Sequence, residues 1–168
     1  AGSYPVLVAT ADALKYAFDQ GVAKVKLAAD INHVPDLPEV PTEEEKNGLI
    51  PQFTIRTDMT VDFNGYTLSV AHDETTNFKG CSLCLIVIDA ATVVFEGEGG
   101  INCEAGDNQA YGVNIINGGS LTVKGVTYYG ALTAIQVQEG TLSVDDGFFD
   151  LAPNCKSQVP GYLKYSIN

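Results

Sequence analysis

The sequence predicts an all-β chain built as a solenoid and entered through one short α-helix. Three observations predict it: a four-fold internal repeat, small turn residues at matching places in the copies, and an amphipathic helix ahead of them. The copies read Phe53-Thr-Ile55…Thr60-Val-Asp-Phe63-Asn-Gly65, Ile86-Val-Ile88…Thr92-Val-Val-Phe95-Glu-Gly97, Val113-Asn-Ile115…Ser120-Leu-Thr-Val123-Lys-Gly125 and Ile135-Gln-Val137…Thr141-Leu-Ser-Val144-Asp-Asp146. Each is an alternating strand, a polar turn, a second alternating strand and a second turn. One copy has no core of its own, so the apolar side chains are buried only when copies stack.

The elements follow in order. Residues 4–8 read as a short strand. Thr10 reads as an N-cap, and Ala11 to Gln20 places Leu14, Ala17 and Phe18 on one helical face, with Asp12 in the first turn. Gly21 suits the position after the helix. Val22 to Ala28 alternates Val25 and Leu27 inward with Lys24 and Lys26 outward. Residues 1–30 therefore form a strand, a capping helix and a first strand that cover one end of the core. Residues 31–52 carry prolines at Pro35, Pro38 and Pro41 and the run Glu43-Glu44-Glu45, and read as a surface loop or flap. Residues 53–168 form the stacked coils.

Aligning Thr60, Thr92, Ser120 and Thr141 gives spacings of 32, 28 and 21 residues. A third short strand follows each copy at 66–70, 100–103, 126–129 and 147–150. The variable segments 71–83, 104–112, 130–134 and 151–161 then fall at one corner of the coil, where they would form one edge or face. Asn64-Gly65, Glu96-Gly97, Gly118-Gly119 and Lys124-Gly125 permit positive φ at the bends. Val61/Phe63, Val93/Phe95, Leu121/Val123 and Leu142/Val144 form one inward column.

The repeat resembles the right-handed parallel β-helix of the pectin-lyase-like superfamily. The opening Val8-Ala-Thr-Ala-Asp-Ala-Leu-Lys-Tyr-Ala-Phe-Asp-Gln-Gly…Val25-Lys-Leu-Ala-Ala-Asp30 is similar to the helix-plus-strand cap of such proteins. Gly118-Gly-Ser-Leu-Thr-Val-Lys-Gly-Val-Thr-Tyr-Tyr129 resembles rungs of phage-associated and surface β-helices of gut bacteria. The resemblance implies an all-β, right-handed, single-stranded parallel β-helix with a short N-terminal capping α-helix. It is specific for fold and far less so for function.

Composition limits the function. The chain has 168 residues, enough for one domain with a real core, with 17 Gly, 8 Tyr, 7 Phe and no Trp. A net charge of −12 argues against nucleic-acid binding, and no apolar run suggests membrane insertion. Ala1-Gly-Ser-Tyr4 does not read as a signal peptide. Cys81 and Cys84 have a C-x-x-C spacing, but residues three apart on a strand face opposite sides. With Cys103 and Cys155 they read chiefly as buried or loop thiols, with a disulfide or a metal as lesser alternatives.

Catalytic motifs are sparse. The pectate lyases that the chain resembles hold Ca²⁺ on clustered carboxylates with an Arg or Lys base. Here the adjacent pair on a rung is Asp145-Asp146, near Asp150, while the sole arginine, Arg56, lies on another rung. His72-Asp73-Glu74 reads as an acid/base cluster or, more simply, a polar loop tip; His33 lies in the proline segment. Tyr128-Tyr129 and Phe148-Phe149 sit at equivalent places on successive rungs, so one of each pair faces outward, where it could stack on a sugar ring or on its neighbour. The weak ligand-binding candidates are thus Tyr129, Phe149, His72, Asp73 and Asp145. No catalytic residue, cofactor or metal is expected.

Gly161 to Asn168 reads as the first strand of a fifth turn without a cap. The expected function is a non-enzymatic structural or attachment module, a bacteriophage virion component such as a head or tail fibre or decoration protein. Its expected partners are copies of itself or other virion proteins over the open end, and a cell-surface glycan. The alternatives are a secreted or cell-surface carbohydrate-binding β-helix and a fragment of a polysaccharide lyase or hydrolase.

Overall fold

The structure, a computed structural model, describes residues 4–70, 81–103, 110–130 and 133–151. The helix that opens the chain forms as its sequence dictates. Strand β1 (Val6–Val8) leads into α1 (Ala11–Asp19), whose N-cap Thr10 accepts the Ala13 N–H at 3.2 Å. Leu14, Ala17 and Phe18 are its buried face. The helix ends because Gly21 takes φ +63°. Its N–H donates to the Phe18 carbonyl and that of Val22 to the Ala17 carbonyl, which uses up carbonyls the last turn would otherwise leave free. β2 (Lys24–Leu27) then pairs parallel with β1, Val25 opposite Val6.

Residues 31–52 hold more structure than a loop. β3 (Ile31–His33) pairs parallel with the third strand of the next coil. α2 (Glu43–Asn47) starts on a capping box, in which Thr42 accepts the Glu45 N–H and the Glu45 carboxylate accepts the Thr42 N–H. The acidic run, read from sequence as like charge, is thus a helix N-terminus, where carboxylates are favourable. β4 (Leu49–Ile55) already includes Pro51, opposite Cys84. Proline is tolerated there because β4 is the edge strand of its sheet, where a missing N–H breaks no ladder.

From β4 onward the chain visits three stacks in the same order on each turn. The first turn is β4, β5 (Met59–Asp62) and β6 (Thr67–Val70). The second is β7 (Ser82–Asp89), β8 (Thr92–Glu96) and β9 (Gly100–Asn102). In the third, β10 (Ala110–Ile116) is followed by one long strand, β11 (Gly119–Gly130); in the fourth, β12 (Thr133–Val137) is followed by β13 (Gly140–Leu151). All pairings between these strands are parallel. β4, β7, β10 and β12 form a four-stranded sheet, and the other nine form a second sheet bent at a corner. The described residues are thus mostly β, with parallel sheets and two helices. β11 and β13 run through the turns expected at Lys124-Gly125 and Asp145-Asp146: register shifts flank Lys124, and Gly125 takes φ +74°. The corner survives there as a bulge that bends the strand.

The core is the space between the stacks. Phe53, Ile86, Val113 and Ile135 align across the four-stranded sheet, as do Ile55, Ile88 and Ile115, and all are buried. Opposite them lie Val25, Val61, Phe95 and Val123. The first copy is displaced by two residues from the sequence alignment: Met59 faces Val93 and Val61 faces Phe95, while Phe63 meets Phe95 edge-on at 5.4 Å. A two-residue shift keeps every side chain on its own face, so the alternation alone does not fix it. Gly100 leaves no room for a side chain, since a Cβ there would run into the Thr127 carbonyl.

The inward column expected to end with Leu142 and Val144 runs out at β13. Val144 is 44% exposed and Phe148 51%, whereas Leu142 and Phe149 still pack on the core. Among the described residues β13 has β11 as its one strand neighbour. The strand expected at 161–168 lies outside the described residues, as do His72, Asp73 and Cys155.

Two stability measurements check this packing. Phe95→Ala should cost about 3–5 kcal/mol in chemical denaturation, because it removes the ring on which Phe63 packs. Ala90 holds φ +56° at the corner where Asn117 takes φ +53° one coil later. Left-handed backbone costs a non-glycine residue about 1–2 kcal/mol, so Ala90→Gly should raise stability by about 1 kcal/mol in the same assay.

Candidate functional site

The sequence candidates do not come together. Tyr128 is fully buried, and Phe149 stacks parallel on it at 4.9 Å. Register places Tyr128 opposite Phe149 and Tyr129 opposite Asp150, one residue from the equivalence read in the sequence. Tyr129 instead meets Phe148 at 6.0 Å on the other side of the strands. Tyr129 and Phe149 therefore cannot form one stacking platform. Asp145 lies on β13 with its carboxylate 4.0 Å from the Lys124 ammonium, both side chains more than half exposed. Asp146 accepts the N–H of Gly147 at 2.9 Å, a local turn contact. Among the described residues no group of three His, Cys, Asp or Glu side chains is placed to hold a metal ion.

Other carboxylates serve the corners. Asp30 accepts the Thr67 N–H and Asp58 the Thr92 N–H, each at 2.8 Å from the neighbouring coil. Asp62 accepts the Asn64 N–H, and the Asn64 side chain donates to the Leu27 carbonyl. These groups satisfy backbone that the bends leave unpaired. His33 packs on Phe53 with the rings tilted by 57° and donates from Nε2 to Gln52 Oε1 at 2.8 Å, which makes it a structural residue of the first coil.

The feature with unspent chemistry is a groove on the outer face of the four-stranded sheet. Inward Phe53, Ile86, Val113 and Ile135 alternate with outward residues on the same strands. The outward row is Thr54, Val87, Asn114 and Gln136, in register across β4, β7, β10 and β12. Arg56, Asp89 and Ile116 form the next row, and α2 with Lys46 walls one side. The groove encloses about 640 Å³. Asn114, 5% exposed, donates to Gln138 Oε1 at 3.3 Å, and its own Oδ1 has no partner. Gln136 Oε1, beside it on β12, also has none. An unmet buried acceptor costs about 1–3 kcal/mol. Asp89 accepts from Asn117 Nδ2 at 2.7 Å and pairs with Arg56 Nε at 3.5 Å. Reading the inward alternation missed this site; the outward positions of the same four strands carry its signal.

The thiols belong to the core. Cys81, Cys84 and Cys103 are buried and free. Cys84 donates to the Ile86 carbonyl at 3.3 Å, and burial pushes its pKa up to about 12. Burial also pushes Cys103 and the unpartnered Tyr128 hydroxyl well above their usual ranges. Neither helix of the described residues is long and apolar enough to cross a membrane.

The chain matches no protein-family model, no curated protein and no solved structure.

Thiol chemistry tests the burial. Cys84 and Cys103 should resist iodoacetamide in the native protein at pH 8 and react once it is unfolded, as read by peptide mass spectrometry. Raised folded pKa values also fix the alkaline response. The native state keeps the Cys84 proton above the ordinary thiol value of 9.0, up to about 12, while the unfolded chain loses it. Stability should therefore fall as pH rises through that window, by up to about 1.4 kcal/mol per pH unit from this group. Cys84→Ala should flatten the slope in denaturation curves taken at pH 9 to 11.

Proposed function

We propose that the chain is a right-handed, single-stranded parallel β-helix acting as a non-enzymatic structural and attachment module, a head or tail fibre or decoration component of a bacteriophage virion. The β-helix reading is supported by the fixed order in which each turn of chain visits three parallel stacks. The similarity of the Gly118–Tyr129 rung to phage-associated β-helices supports the virion setting.

One observation carries the assembly role. β13 continues the inward columns of the coils before it, yet its inward Val144 is 44% exposed, and Phe148 on its outer face is 51% exposed. Among the described residues no strand lies beyond β13, and an exposed apolar strand edge is a template for pairing. A second copy of the chain is the partner that offers a matching strand. The coil behind β13 is stiff because its strands are held on both sides, which suits an arm that transmits load and displays its corner loops.

The reading predicts self-association through β13. In sedimentation or light scattering the chain should be oligomeric at micromolar concentration, and Val144→Lys with Phe148→Lys should weaken association by about tenfold or more without lowering the melting temperature. A chain that stays monomeric, or an oligomer indifferent to both changes, would overturn the assembly role. A gene lying beside capsid, portal or tail genes is the setting expected for a virion component; a setting among secreted or surface proteins would refute that assignment.

A further inference from the structure

We infer that copies of the chain join head to tail, the outer edge of β13 in one copy pairing in parallel with the outer edge of β1 in the next. The inference rests on the reading of β13 as an assembly edge and adds the surface that receives it.

The first support is the place of the two strands in the fold. β1, β2, β5, β8, β11 and β13 lie side by side, each pairing in parallel with the next. β1 and β13 are the two ends of that row, and among the described residues each has one strand neighbour. One file of inward side chains crosses all six strands: Val6, Val25, Val61, Phe95, Val123 and Val144. The four in the middle are buried, whereas Val6 is 42% exposed and Val144 is 44% exposed. The file is thus cut short at both ends, each time on a valine.

The second support is what the β1 edge offers. Among the described residues eight large hydrophobic side chains are exposed, and five of them, Tyr4, Val6, Leu7, Val144 and Phe148, lie on or beside these two strands. Scattered exposed side chains need no explanation, but a cluster along a strand edge marks a pairing surface. The Val8 carbonyl accepts the Ala28 N–H, on the side of β2. Backbone groups alternate sides along a parallel strand, so Leu7 turns its N–H and C=O away from β2, toward the outer edge.

The third support decides which edge of the second copy is met. Two β13 strands related by a two-fold axis would run antiparallel, or would turn their inward faces to opposite sides. All strand pairs among the described residues are parallel. β1 of the next copy can meet β13 running the same way with its inward face on the same side, so that its Val6 extends the file beyond Val144. Such a contact uses a different surface on each copy, and the outermost edges stay open to further copies.

The test is disulfide trapping in a Cys155→Ser background, in which Cys81, Cys84 and Cys103 are buried. Neighbouring strands stand about 4.8 Å apart, within the reach of a disulfide. Within one chain positions 6 and 144 are five strand steps, about 24 Å, apart, so a bond between them joins two copies. Val6→Cys mixed with Val144→Cys should give a dimer on mild oxidation, its link between positions 6 and 144 read by peptide mass spectrometry. The doubly substituted chain should give a ladder of sizes on a non-reducing gel. Leu7→Pro removes the outward N–H of β1 and leaves its ladder with β2, so it should weaken association by about tenfold or more without lowering the melting temperature. The trapping result stands whether or not Leu7→Pro folds. Either single cysteine variant cross-linking to itself in preference to the other, or association undiminished by Leu7→Pro, would overturn the inference and leave β13 as an assembly edge. A chain that stays monomeric, its β13 edge met within the same chain, would overturn both.

Discussion

Everything in this molecule depends on backbone pairing between coils. A single turn of chain, such as β7 through β9, makes no hydrogen bonds within itself that would hold three strands apart and parallel. Its N–H and C=O groups are satisfied only by the coil before and the coil after, at a spacing of about 4.8 Å. That spacing dictates the rest. It forces like positions to stack, so Phe53, Ile86, Val113 and Ile135 form one file. It excludes a side chain at Gly100, where the Thr127 carbonyl already fills the space.

The corners are where this pairing fails and where side chains take over. A bend leaves N–H groups that no strand reaches, and carboxylates from the adjacent coil accept them, as Asp30 does for Thr67 and Asp58 for Thr92. Part of the acidity of the chain is thus architectural. The charges left on the outward faces pair across strands, Lys24 with Glu96 at 2.8 Å and Lys26 with Asp62 at 3.5 Å. At their exposure such pairs contribute well under about 1 kcal/mol each, so they tune register more than they stabilise.

The sequence was most legible where periodicity and burial agree. Thr10, Leu14, Phe18 and Gly21 announce α1 with both its caps, and the first strands of the four coils align without error. Legibility failed where two registers satisfy the same pattern: sliding Val61 from Val93 to Phe95 moves nothing between faces. It failed also where a local signal was masked by composition. Thr42 and Glu45 spell a capping box inside what reads as a charged loop, and Pro51 hides the start of an edge strand. The groove escaped notice because Asn114 and Gln136 are ordinary polar residues, one coil apart, and only their common outward position makes them neighbours. Of the five sequence candidates, His72 and Asp73 lie outside the described residues, and Tyr129, Phe149 and Asp145 sit apart from one another.

Gln52 gives the segment before β4 an unusual freedom. Its side-chain oxygen accepts from the Asp36 N–H and from His33, and its nitrogen donates back to the Asp36 carbonyl. One buried amide therefore closes the ring between residues 36 and 52, independently of what the chain does in between. Doubling the length of such a closed loop costs only about 0.6 kcal/mol. The stretch carrying α2 can be rewritten, lengthened or exchanged while the stacked strands keep their register, which makes it an evolvable graft point on the parallel sheets.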